Sequence, residues 1–176
     1  GSLKSGASYA RVISPEKVIN SYSDVPESVI FPIKDSEFFN KSNYSSILKS
    51  GILSDEKPIL IGPGLGAKKQ TTQLTSKILD YLKDRNNNCI LDASGFEPLY
   101  NDRKIEDLPK NCILTPHLGE FVKIFPDFNS NESLLKHDKI FKKLNGRVLV
   151  LKGPTTFVFS KTGKVYVINN GSSLLA

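Results

Sequence analysis

A chain of 176 residues, 39% hydrophobic and 24% charged, can bury one substantial core and is too short for several, so a single domain over 1–176 is expected. Its net charge of +6 and pI near 9.2 favour anionic ligands, but the lysines are scattered and build no basic block of the kind that grips nucleic acid. No apolar run approaches ~18 residues and no charged-then-apolar leader opens the chain, so neither a membrane span nor a signal peptide is expected. Cys89 and Cys112 each lead an aliphatic run, which marks reduced core residues in a reducing, cytoplasmic setting rather than a disulfide or metal pair. Methionine is absent, even at position 1, and the final "LLA" is an apolar run with no stop signal, so the chain reads as part of a longer one.

Short aliphatic runs alternate with helical periodicity, the pattern of strands and helices around a mostly parallel sheet. A strand is expected near 9–13, whereas residues 14–57, rich in Ser, Pro and Lys, are the least legible stretch. A strand at 58–62 leads through "GPGLG" into a helix whose Leu74, Ile78, Leu79 and Leu82 share one stripe and which the asparagines of 86–88 end. Strands are expected at 88–92 and 111–115. A second helix follows "TPHLGE" with Phe121, Val122 and Phe125 one turn apart, and a third uses Leu134, Leu135, Ile140, Phe141 and Leu144 before stopping at Asn145-Gly146. A strand at 147–151 then runs into "TTFVFSKTGKVYVIN", two β-rich runs about a Thr-Gly turn, which predicts a hairpin joined to the parallel sheet.

Gly62-Pro63-Gly64-Leu65-Gly66 falls between a predicted strand and a predicted helix, where glycines let backbone approach a ligand and a helix amino terminus offers N–H groups to an anion. The same residues could serve only to reverse the chain, and they match neither G-x-G-x-x-G nor G-x-x-x-x-G-K-[ST]. Asp92 ends "CILD", His117 follows "CILTP" and Lys152 ends "RVLVLK". If the strands are parallel, these side chains gather at the carboxyl edge of the sheet, where α/β proteins bind ligands. Each also admits a structural role: Asp92 as a turn cap, His117 as a satisfied loop imidazole, Lys152 as a solvated cation, Glu120 as a first-turn helix acid. His137, beside Asp138 and Lys139, reads as surface.

"GPGLG", "LDASGFEPL", "ILTPHLGEF" and "LKGPTTFVFS", in this order and spacing, resemble the ADP- or ATP-dependent NAD(P)H-hydrate dehydratases, carbohydrate-kinase-like enzymes of the ribokinase-like superfamily. The resemblance covers nearly the whole chain, with "TPHLGEF" and "GPGLG" its specific part. It implies a three-layer α/β/α sandwich with a mostly parallel sheet, here incomplete at both ends. It implies repair of hydrated NADH or NADPH: a nucleoside di- or triphosphate, ADP or ATP, phosphorylates the hydrate hydroxyl and phosphate is eliminated. Carried over, Gly64 or Gly66 and His117 contact the hydrated dinucleotide, with Asp92 and Glu120 grouped at the same site. Lys152, Gly153, Pro154, Thr155 and Thr156 hold the adenine nucleotide, and Lys152, backbone N–H groups and Mg²⁺ stabilise the moving phosphoryl group. Ser94 stands where the family usually has a second acid, which leaves the metal ligands unassigned.

The family's Gly-Thr-Gly-Asp motif, with its anion hole and aspartate base, would lie beyond Ala176, and its first strand would precede residue 1. No catalytic base is therefore assigned within 1–176, and the isolated chain is expected to be inactive. The family often carries an epimerase domain as well, and a homo-oligomer is expected. The alternatives are another ribokinase-like small-molecule kinase and a non-catalytic fragment serving in assembly.

Overall fold

Residues 89–91 and 112–114 share the sequence Cys-Ile-Leu, and both form strands whose first and third side chains are buried while the central isoleucine is only partly so. The computed structural model describes residues 4, 6–18, 28–34, 37–53, 57–101, 103–128 and 137–169. In it, strands β3 (Ile59–Ile61), β4 (Cys89–Leu91), β5 (Cys112–Leu114) and β6 (Val148–Leu151) lie side by side in sequence order, all parallel. β7 (Thr156–Phe159) and β8 (Val165–Ile168) extend the sheet antiparallel, as the hairpin signal predicted. Gly163, at φ +76, supplies the turn.

Alternation along these strands puts Ile61, Leu91, Leu114, Leu149, Leu151 and Phe159 on one buried face. Helices α2 (Lys69–Asp84), α3 (Glu97–Asn101), α4 (Leu118–Ile124) and α5 (His137–Leu144) cover it. The stripe read from α2 is real: Leu79 and Leu82 enter this core, while Leu74 faces a second cluster with Ile33, Phe39, Ile47 and Leu53. Ile47 comes from the short helix α1 (Tyr44–Lys49). Phe121, Phe125 and Phe128 stack and edge together against the sheet, with the first two ring centroids 4.8 Å apart. On the opposite face Leu60 is 59% exposed and Tyr166 52%, so the described residues build two of the three expected layers.

Three expectations change. The strand near 9–13 exists as β1 (Ala10–Pro15), but it pairs in parallel with β2 (Ser28–Ile33) in a separate two-stranded sheet. β2 lies in the stretch that gave no clear element, because Pro32 interrupts its aliphatic run and demotes a strand signal. His137 is half-buried rather than fully surface, its ring set edge-on to Phe159 at 5.8 Å. Leu134, Leu135 and residues 170–176 lie outside the described residues, while Asn145 and Gly146 do end α5 with positive φ.

Cys89 and Cys112 are register partners, free and buried, as read. The hydrogen bond between them, with burial, pushes the Cys112 thiol well above its ordinary range, so it is an inert packing group. Arg147, just before β6, is 3% exposed and donates to the carbonyls of Glu106, Leu108, Pro109, Leu144 and Asn145. Burial lowers its pKa, yet the ring of carbonyls satisfies its donors and ties the loop before β5 to the turn before β6. Arg147→Leu should strand those carbonyls and cost roughly 2–4 kcal/mol in chemical denaturation; a loss below about 0.5 kcal/mol would mean water replaces the guanidinium freely.

Candidate functional site

The turn after β3 has a definite geometry. The Leu65 N–H donates to the Gly62 carbonyl at 3.0 Å, with Pro63 and Gly64 at the central positions and Gly64 at φ +78, the requirement of a type II turn. Gly62 itself is at φ +135, and a Cβ there would lie 1.6 Å from the Asp92 carbonyl oxygen. Gly95 is the reciprocal case, since its Cβ would lie 2.4 Å from the Ile61 carbonyl oxygen. The exits of β3 and β4 are thus pressed backbone to backbone. The Asp92 N–H donates to Ile61 (3.1 Å), the Gly95 N–H donates to Asp92 (2.9 Å), and Ala93 between them is forced to φ +49. Gly64 and Gly66, by contrast, are exposed and look onto open space, the condition for a ligand to approach backbone there.

At the next two exits the parallel pairing continues past the named strands. The Thr115 N–H and hydroxyl both donate to the Leu91 carbonyl at 3.0 Å, the Lys152 N–H donates to Pro116 at 2.8 Å, and His117 bridges Lys152 in parallel. His117 then caps α4. Its Nδ1 accepts the N–H groups of Gly119 (2.9 Å) and Glu120 (3.3 Å), and the His117 backbone N–H donates to Glu120 Oε2 at 2.8 Å, a capping box with histidine in the role usually held by Ser or Thr. With Nδ1 accepting, the ring proton belongs on Nε2, which lies 3.6 Å from Glu120 Oε1. The imidazole is 61% exposed and the Glu120 carboxyl 14%. Behind Glu120, burial raises the pKa of Tyr100, and the carboxylates of Glu120 and Glu97 push it further the same way.

Lys152 does not point freely into solvent. Its Nζ lies 2.5 Å from Asp92 Oδ1, reaching past the exit of β5 to that of β4. Residues 153–155 bend the chain between β6 and β7, with the Thr156 hydroxyl donating to the Gly153 carbonyl at 3.3 Å. Asp92, His117 and Lys152 are therefore one connected group, with Gly62 packed against it and Gly64 and Gly66 on the outer part of the same loop. Asp92 leads into a 3-10 turn but makes no side-chain cap, so its carboxylate is left for Lys152. Glu120 takes the structural role considered for it, as the acid of the cap. Sequence reasoning missed Gly62 and Gly95 as the close-packed pair, although Gly62 ends one predicted strand and Gly95 lies three positions after another.

A groove of about 890 Å³ lies elsewhere, lined by Leu99, Arg103, Ile105, Ile124, Phe128 and Lys142 among others, and contains none of these residues. Among the described residues no cluster of three His, Cys, Asp or Glu side chains forms a metal cage, and no helix is long and apolar enough to cross a membrane.

The backbone contact yields a paired prediction. Gly62→Ala or Gly95→Ala should cost roughly 2–4 kcal/mol, because a carbonyl must move, whereas Ala93→Gly should change stability by less than about 1 kcal/mol or improve it. Thermal unfolding of the three variants reads this directly, and an innocuous Gly62→Ala would mean that the β3 and β4 exits are farther apart than described.

The family profile described as NAD(P)H-hydrate dehydratase matches residues 1–176. The chain is 30% identical over 166 residues to an ATP-dependent (S)-NAD(P)H-hydrate dehydratase of Ciona intestinalis, covering 89% of this chain and 44% of that protein. Among solved structures it matches a ribokinase-like superfamily protein of Enterococcus faecalis with TM-score 0.71, at 20% identity over 94% of this chain and 54% of that one. It also matches an ADP/ATP-dependent NAD(P)H-hydrate dehydratase of Bacillus subtilis, co-crystallised with ATP and Mg²⁺ and soaked with CoA, with TM-score 0.63 at 22% identity over 95% and 57%. The chain thus spans about half the length of these relatives, and the two structural matches establish a ribokinase-like α/β fold. By the match over its full length, the chain belongs to the NAD(P)H-hydrate dehydratase family.

Proposed function

We propose that this chain forms the ligand-gripping sheet edge of an enzyme that dehydrates hydrated NADH or NADPH at the expense of ADP or ATP. The observation that carries the reading is the connected group at that edge, in which the Lys152 ammonium meets Asp92 and the Lys152 backbone pairs with His117. Phosphoryl transfer requires cations and fixed N–H donors around a moving phosphoryl group, together with a second pocket for the hydroxyl to be phosphorylated. The group offers a cation in Lys152 and a ring N–H donor in His117 within one short stretch of surface.

Gly64, Gly66 and His117 are assigned to the hydrated dinucleotide, with Asp92 and Glu120 beside them. The exposed Gly64 and Gly66 backbone leaves room for a ligand, and the Nε2–H of a His117 whose Nδ1 is occupied is a neutral donor to a ligand oxygen. Lys152 and the bend through Gly153, Pro154, Thr155 and Thr156 are assigned to the adenine nucleotide, whose phosphates would meet the ammonium. The described residues do not by themselves build a magnesium site, so Mg²⁺ would arrive on the nucleotide phosphates, where its part is to neutralise charge. A cytoplasmic setting, a homo-oligomer and a fused or separate epimerase domain complete the reading. The rival, a ribokinase-like small-molecule kinase, would leave a stable phosphorylated product with no elimination.

The test is recovery of NADH absorbance from hydrated NADH with ADP or ATP, using the full-length protein that carries this chain. His117→Ala should mainly raise the KM for the hydrated dinucleotide. Lys152→Ala should mainly weaken the nucleotide and slow transfer, on the order of 2–4 kcal/mol in kcat/KM if the ammonium meets developing phosphate charge. Small, equal effects of both changes on both ligands would count against the assignment.

A further inference from the structure

The family resemblance and its place at the sheet edge put Asp92 beside the dinucleotide. We infer instead that Asp92 is a positioning residue that aims the Lys152 ammonium, a reading that rests on the function proposed above. Lys152 is anchored at its backbone to Pro116 and His117 on β5's exit, while its Nζ lies 2.5 Å from a carboxylate on β4's exit. The flexible four-carbon stem is thereby held at both ends and laid across the mouth of β5. An unpaired lysine there would spread over many rotamers and be swept by solvent, since this side chain is 43% exposed.

The backbone that carries the carboxylate is itself held at several points. Asp92 donates its N–H to Ile61, accepts from Gly95 and has its carbonyl pressed against Gly62 so closely that no side chain fits at that glycine. A carboxylate rooted in such backbone can fix a cation, and the cation it meets is Lys152. Its own charge also sets the sign of the test. Removing it leaves the edge more positive, which cannot weaken attraction for an anionic nucleotide, but it removes the orientation on which transfer depends.

In the full-length protein, Asp92→Asn should lower kcat about 10- to 100-fold while the KM for ADP or ATP stays within about twofold or falls, and the KM for hydrated NADH stays unchanged. Asp92→Glu, which keeps the charge one methylene farther out, should recover part of the rate. In the Lys152→Ala background, Asp92→Asn should add nothing, because the group it aims is gone. A raised KM for hydrated NADH in Asp92→Asn, or a further loss in the Lys152→Ala background, would overturn the inference and return Asp92 to the substrate. If the unaltered protein repairs no hydrate, the functional reading has failed, and the pair is then read by ATP titration of the same variants. The loss of negative charge acts in both backgrounds, so Asp92→Asn should change ATP affinity by different amounts with and without Lys152, and an equal change in both contradicts the inference.

Discussion

Parallel pairing of very short strands governs this molecule. Strands of three or four residues such as Ile59–Ile61, Cys89–Leu91, Cys112–Leu114 and Val148–Leu151 can bury only one or two side chains each on the helical face, so their stability depends on all of them packing together. Because they run in the same direction, every chain segment leaves the sheet at one edge. The residues that follow, Gly62, Asp92, Thr115 and Lys152, are then neighbours despite the separations between them in sequence. Arg147 performs the matching service at the entry side, where its guanidinium gathers carbonyls from the loop before β5 and the turn before β6.

What distinguishes the exit edge is how little of its geometry is left to side chains. The Gly62–Asp92 and Gly95–Ile61 approaches are backbone against backbone, and Ala93 adopts a left-handed conformation that an L-residue takes only under constraint. His117 spends Nδ1 on the α4 cap, while its Nε2 lies 3.6 Å from Glu120 Oε1 in a ring that is 61% exposed. The result is a rigid floor bearing a few exposed polar groups, the arrangement a ligand site needs when its geometry must be held to fractions of an ångström. The glycines divide the work accordingly: Gly62 and Gly95 allow the floor to close, while Gly64 and Gly66 keep the surface above it open.

Much of this was legible in the sequence because period and punctuation agreed. The aliphatic runs at 58–62, 88–92, 111–115 and 147–151 were each bounded by turn residues, and the α2 stripe and the Thr-Gly hairpin carried unambiguous periods. The motifs at the ends of those runs then pointed to one edge, and to the family. β2 escaped because Pro32 breaks its pattern, and the separate pairing of β1 with β2 depends on tertiary placement that no local signal encodes. The roles of Gly62 and Gly95 escaped for a related reason: a glycine required by a neighbouring strand looks the same, in one dimension, as a glycine required by a turn. His137 was read from its charged neighbours, whereas its burial is decided by Phe159, which follows it by 22 positions.

The central claim is that one sheet edge, and not the groove near Phe128, receives the ligands. Mapping amide chemical shifts while hydrated NADH and a non-hydrolysable ATP analogue are added to the full-length protein tests it most directly. The account predicts perturbations concentrated at residues 62–66 and 117–120 for the dinucleotide and at 152–156 for the nucleotide, with Asp92 following Lys152. Shifts confined to Leu99, Arg103, Ile105 and Phe128, with the exit edge silent, would contradict it.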